Sequence, residues 1–196
     1  CDYLLYYPFI DTDAIGEEQV MDNTVTLPRY AAQGGQVVAV AQSAASAIGQ
    51  FTFSYTNQDG VSGRTSQNNY TFIVAGGGQV VGASGAGASY NPFCYLQVGD
   101  TAVRSIESVT MSAAGGGLMC LVIVKPLIKT VVSQECRRTT TGNLESYGAC
   151  TELSSVIHQA GAPRILDGAV IGLLAAGYSG SLASSILSGA LEVIWN

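Results

Sequence analysis

The chain has 196 residues, of which 47% are hydrophobic and only 11% charged, with a formal net charge of −6. That content is enough to bury a sizeable core and argues against disorder. The acidity argues against nucleic-acid binding, which needs clustered Lys and Arg to neutralise phosphates, and no apolar run reaches the ~18 residues of a membrane-spanning helix. Gly (24 residues), Ala, Ser and Thr replace the missing charge. A surface of small uncharged groups costs little to desolvate and suits a subunit flanked by neighbours.

The chain opens on Cys1 and the apolar stretch DYLLYYPFI. Cys1 reads either as the acylated residue of a mature lipoprotein or as a residue preceded by a leader; the absence of a polar tether favours the leader. Residues 1–23 are read as an N-terminal arm, with one helical turn over Glu17–Asp22. A strand is predicted over Thr24–Leu27 and another over Gln36–Ala41. Phe51–Thr56 alternates with period two, placing Phe51, Phe53 and Tyr55 on one face and Thr52, Ser54 and Thr56 on the other. Asn57-Gln58-Asp59-Gly60 then forms a turn with Gly where a positive φ is needed, and Val61–Ser66 returns as the partner strand.

Tyr70–Ala75, Phe93–Gln97, Val103–Met111, Leu118–Lys125 and Thr130–Ser133 continue the series, followed by Ile165–Leu166, Ala169–Leu174 and Ala190–Trp195. Leu118–Val124 (LMCLVIV) reads as a central strand. Between them, Gly76–Ser89 (GGGQVVGASGAGAS) reads as a long connection or as a loop that orders against a neighbour. Ser133–Gly148 reads as a polar loop or insertion. One helix is predicted over Thr151–Ala160, where Leu153, Val156, Ile157 and Ala160 share a face before Gly161 and Pro163. Short strands punctuated by turn signals predict an all-β fold: an antiparallel β-sandwich, jelly roll or barrel with long loops and at most two short helices. It is read as one domain over 1–196 with an irregular insertion at about 133–163.

Chemistry is sparse. The five cysteines, Cys1, Cys94, Cys120, Cys136 and Cys150, have no zinc spacing. Cys94 and Cys120 read as buried hydrophobes, and Cys136 and Cys150 bracket a polar segment that a disulfide between them would close. His158 is the single histidine. Gly177-Tyr178-Ser179-Gly180-Ser181 departs from a nucleophile elbow at Ser181, and Gly76-Gly77-Gly78 departs from a dinucleotide fingerprint at Val81. Asp11, Asp13, Glu17, Glu18 and Asp22 lack the Gly and closing Glu of a calcium loop and read as a solvated acidic patch or a contact for a basic partner. No catalytic residue, metal ligand or cofactor is assigned. The tyrosines leave carbohydrate stacking open, although subunit interfaces use the same residue.

Four phrases, Asp22–Tyr30 (DNTVTLPRY), Ser54–Thr65 (SYTNQDGVSGRT), Gly99–Thr110 (GDTAVRSIESVT) and Leu121–Leu127 (LVIVKPL), together resemble small virion structural proteins of tailed bacteriophages. Cys1–Asp11 fits that group too, and Ile165–Ala169 with Trp195 fits it more loosely; the likeness is poor between Ile128 and Pro163. The resemblance implies a non-enzymatic component of the particle. Decoration, or cement, subunits of phage heads are commonly β modules that clamp major capsid subunits, so a cement protein on the head exterior is the leading expectation. A tail, neck or fibre-attachment component, or a carbohydrate-binding β-sandwich, is the alternative. The expected partners are the major capsid protein or other virion subunits and further copies of the chain, a trimer before a dimer, with neither nucleic acid nor membrane. The contact residues expected are Tyr3, Leu4, Leu5, Tyr6, Tyr7, Phe9 and Ile10 in the opening stretch and Gly82, Ala83 and Ser84 in the glycine-rich loop.

Overall fold

The computed structural model describes residues 1–78, 80, 82–83, 91–127, 138–140, 143–145, 165–172 and 174. It is an all-β fold of two antiparallel sheets packed as a sandwich, with no helix among the described residues. The first sheet has the order β1-β9-β3, with β1 at Asp2–Asp11, β9 at Leu118–Lys125 and β3 at Gln36–Ala41. The second runs β2-β8-β4-β6-β7, with β2 at Glu18–Val20, β8 at Val103–Ala113, β4 at Gln50–Asn57, β6 at Asn69–Thr71 and β7 at Gly82–Ala83. A short β5, Arg64–Thr65, pairs with β4. A separate hairpin joins β10 (Arg138–Thr140) to β11 (Asn143–Glu145).

β4 keeps strict alternation: Phe51, Phe53 and Tyr55 are buried, while Thr52, Ser54 and Thr56 are only half-buried. The three rings stack along the strand, with centroids 6.4 and 5.5 Å apart. Each fully buried aromatic contributes about 2–3 kcal/mol of hydrophobic stabilisation. Opposite them lie Val37, Ala39 and Ala41 of β3, Met119, Leu121 and Ile123 of β9, and Leu4, Tyr7 and Ile10 of β1, all in one continuous core. The run LMCLVIV is apolar at successive positions because β9 is central in its sheet and covered on both faces. Its second face carries Cys120, Val122 and Val124, which cluster with Val38 and are packed over by Val80, Phe93 and Leu174.

The two sheets are stitched at their corners. Gly35 and Val103 exchange backbone hydrogen bonds of 2.9 and 2.8 Å, joining the start of β3 to the start of β8. Gly34 beside them has φ +69°, and a Cβ there would sit 2.6 Å from the Val103 carbonyl oxygen, so only glycine fits. At the other corner the Gln19 carboxamide takes the place of a peptide group. It accepts from the Asp11 N–H and donates to the Asp11 C=O, each at 2.8 Å.

The Asn57–Gly60 turn forms as expected. Gly60 N–H donates to Asn57 C=O, Asn57 N–H donates to Val61 C=O, and Gly60 has φ +79°, the geometry of a type I turn closed by a glycine bulge. Gln36–Ala41 and Leu118–Lys125 are strands with the bounds predicted, and β8 extends Val103–Met111 by two residues.

Several expectations are corrected. Residues 2–11, within the segment read as an N-terminal arm, form an edge strand of the first sheet. Glu17–Asp22 holds strand β2 rather than a helical turn, since its contacts to β8 outweigh a weak local preference. Thr24–Leu27, Phe93–Gln97 and Ile165–Leu166 are irregular. Of Val61–Ser66 only Arg64–Thr65 pairs as strand, and of Tyr70–Ala75 only its start, within Asn69–Thr71. Part of the glycine-rich connection pairs with β6 as β7, and the stretch expected as a polar loop contains the β10–β11 hairpin. Among its described residues, Ala169–Leu174 contributes a single bridge, Ile171 to Asp2. The helix at Thr151–Ala160 and the strands at Thr130–Ser133 and Ala190–Trp195 lie outside the described residues.

Candidate interaction surface

β1 decides which of the opening residues can meet a partner. Simple alternation would put Leu4, Tyr6, Pro8 and Ile10 on one face. Two register shifts against β9, one between Tyr3 and Leu5 and one between Tyr7 and Ile10, each insert an extra residue. The periodicity becomes three: Leu4, Tyr7 and Ile10 enter the core, while Tyr3, Tyr6 and Phe9 face solvent with 40%, 66% and 73% of their surface exposed. Tyr6 pairs with Val122 and Tyr3 with Val124, so these rings stand on the outer side of the first sheet.

Phe9 has φ +62°, a left-handed conformation that costs a bulky residue about 1–2 kcal/mol. Its N–H donates to the Gln42 Oε1 at 2.6 Å, which holds the bulge. Of the contact residues expected, Leu4, Tyr7 and Ile10 are therefore corrected to core residues, because the bulges turn them inward. Leu5 is half-buried. Tyr3, Tyr6 and Phe9 form one exposed set. Gly82 and Ala83 pair as β7 with Thr71 and Tyr70. Ser84, and the cysteine pair Cys136 and Cys150, lie outside the described residues, as do His158 and Gly177–Ser181.

Tyr7 performs a different task. Its hydroxyl donates to Asn23 Oδ1 and accepts from the Ile106 N–H, both at 3.0 Å, so a ring from the first sheet is hydrogen-bonded to the backbone of the second. Burial raises its pKa. A second bridging tyrosine, Tyr55, donates to Asp100 Oδ2 at 2.7 Å and accepts from the Gln97 N–H at 2.9 Å.

Asp100 is the hub there, receiving Tyr55, the Asn57 amide at 2.9 Å and the Arg64 guanidinium at 3.0 Å, with 4% of its side chain exposed. Burial pushes its carboxyl up, but the hydrogen bonds from Arg64, Tyr55 and Asn57 and the Arg64 charge prevail and hold it at about 2. Burial first, and then the bond to Asp100, pushes Tyr55 up to about 12. This network closes the loop before β8 onto the β4–β5 hairpin.

The outer side of the second sheet is polar. Glu107 sits in a bulge of β8 and accepts from Ser54 Oγ, Thr56 Oγ1 and the Gly63 N–H. Arg104, also at a bulge, donates to the Ala32 and Gln58 carbonyls. Those carbonyls border a cleft of about 560 Å³ lined by Gln33, Gly35, Gln58, Asp59, Thr101 and Lys125. Two of its polar groups are engaged within the fold: Gln58 Oε1 accepts from the Thr101 and Ala102 N–H groups, and the Lys125 amine lies 5.4 Å from the Tyr30 ring centroid.

Three aspartates of the acidic stretch accept backbone hydrogen bonds within the fold. Asp11 Oδ1 accepts from the Asp13 N–H, Asp13 Oδ1 from the Gly116 N–H and Asp22 Oδ1 from the Thr24 N–H. Among the described residues no cluster of His, Cys, Asp and Glu is arranged to hold a metal ion, and no helix is long and apolar enough to cross a membrane. Cys94 is buried, its thiol pushed up to about 12 by desolvation, and Cys120 is half-buried. Sequence reasoning singled out the segment that carries the exposed rings but could not separate Tyr6 from Tyr7. The only local hint was Pro8, a residue that interrupts regular pairing. No family, curated protein or solved structure matches this chain.

Proposed function

We propose that this chain is a non-enzymatic structural component of a tailed-phage virion. In its most concrete form it is a decoration protein on the head exterior that stabilises contacts between major capsid subunits and assembles with further copies of itself, as a trimer. The observation that carries the reading is the exposed set Tyr3, Tyr6 and Phe9, one of them held in a costly backbone conformation, on a sheet that is apolar on both faces. Rings of this kind serve as anchors at protein interfaces, where they supply large rigid contact area at little entropic cost. The scarcity of charge keeps the surrounding rim cheap to desolvate. The resemblance of the four sequence phrases to phage virion proteins selects the kind of assembly. Many modest contacts repeated over a shell then add up to strong attachment.

The test is the copy number of this chain in purified particles, by quantitative mass spectrometry against the major capsid protein. One copy per one to a few capsid subunits is expected. About one per hundred or fewer moves the chain to the neck, tail or fibre attachment, and absence from particles overturns the virion reading. Three solvent-facing rings on one strand also favour a second reading, a carbohydrate-binding sandwich. That reading requires a glycan-dependent change in tyrosine fluorescence that disappears in Tyr6→Ser.

A further inference from the structure

The segment Ile165–Gly172, with Leu174, docks on the body of the sandwich through contacts that a separate peptide could make. Residues 166–169 turn, with the Ala169 N–H donating to the Leu166 carbonyl at 3.1 Å. The chain then runs antiparallel to the start of β1. Tyr3 N–H donates to the Val170 carbonyl and Gly172 N–H to the Cys1 carbonyl, both at 2.9 Å, and the Cys1 nitrogen donates back to the Gly172 carbonyl at 3.0 Å. Since Asp2 pairs with Lys125 on its other side, this strap extends the first sheet beyond its edge.

Two side-chain anchors accompany the backbone pairing. The buried Asp2 carboxylate accepts from the Val170 N–H at 2.9 Å while Arg29 grips it with two bonds of 2.7 Å. Leu174 packs against Val38, Val122 and Val124. Val170 and Ile171 bury little, remaining 59% and 40% exposed. Main-chain pairing at a sheet edge with one apolar anchor is the mode by which an extended peptide adds to a sheet. Nothing in it depends on both strands belonging to one chain. Roughly 40 residues of sequence separate the end of β9 from the strap.

We propose that this strap exchanges between copies of the chain when copies are held side by side, each strap completing the β1 edge of its neighbour. The occupant is a second copy because the Asp2–Arg29 pair and the apolar seat are complementary to this strap. The same contacts form in cis and in trans, so the balance is set by local concentration. The proposal is independent of where the protein resides and is tested on the purified full-length chain.

A Tyr3→Cys copy is mixed with a Val170→Cys copy, refolded together at rising concentration and oxidised, and peptides linking positions 3 and 170 are quantified by mass spectrometry. Such a peptide requires two chains. It should rise at least about tenfold between dilute and concentrated samples, as mass action dictates. The Tyr3→Cys/Val170→Cys double variant, oxidised when dilute, should form the same link within one chain. A link in the double variant but none in the mixture at any concentration overturns the exchange. Absence of the link from both overturns the pairing on which it is built.

Discussion

The two sheets of the sandwich meet in one core but present opposite faces outward. The second sheet shows water a row of hydroxyls, Thr52, Ser54 and Thr56, the last two tied together by Glu107. The first sheet has a second apolar layer, Val38, Val122 and Val124, which other segments of the chain must cover. A sheet polar on one side stands in water unaided, whereas one apolar on both sides needs partners on both. The contrast places most of the stability in the space between the sheets; under the proposed function, association falls to the outer side of the first sheet, where the exposed rings stand.

Substitutions rank that contrast. Phe53→Ala empties the middle of the shared core and should cost about 3–5 kcal/mol in chemical denaturation; a loss below about 1 kcal/mol would mean the sheets do not pack there. Asp100→Ala strands Arg64 and the Tyr55 hydroxyl and should cost on the order of 3 kcal/mol. Because the folded carboxyl titrates at about 2, its stabilisation is complete above the unfolded value near ~4 and is lost as pH falls from there through 2. Acid titration of stability should show that slope in the parent protein and lose it in Asp100→Ala.

Val122→Ala, on the outer layer of the first sheet, should cost about 1–2 kcal/mol if that layer is covered. A cost near zero would make the first sheet one-sided like the second and erase the comparison. Glu107→Gln should cost about 1 kcal/mol, since the polar face is supported by hydrogen bonds that water partly replaces. Least of all, the Tyr6→Ser/Phe9→Ser double variant should leave stability within about 0.5 kcal/mol while reducing incorporation into particles at least about tenfold. Unchanged incorporation would remove these rings from the proposed interface.

Much of this division was legible in the chain. Phe51, Phe53 and Tyr55 declared the buried face of β4 because a strand inserts every second residue into its core, and the bulges in its pairing with β8 place their extra residues on β8. Gly60 declared the hairpin because its position requires a positive φ. The unbroken run Leu118–Val124 marked a strand covered on both faces. The opening segment was legible in kind but not in orientation. Its apolar content marked it for packing, yet whether Tyr6 or Tyr7 turned inward depended on two bulges.

What the sequence alone determined was the strand-forming tendency of β3, β4, β8 and β9, because alternation and turn chemistry act between near neighbours. What only the tertiary structure decided was partnership. β1 pairs with β9 across more than 100 residues of chain, a single Gln19 carboxamide closes the corner against Asp11, and Asp100 gathers Tyr55, Asn57 and Arg64 from two other segments. Such contacts form between groups distant in the chain. No local pattern specifies them; they exist because the collapsed core leaves each buried polar group one geometry in which it is satisfied.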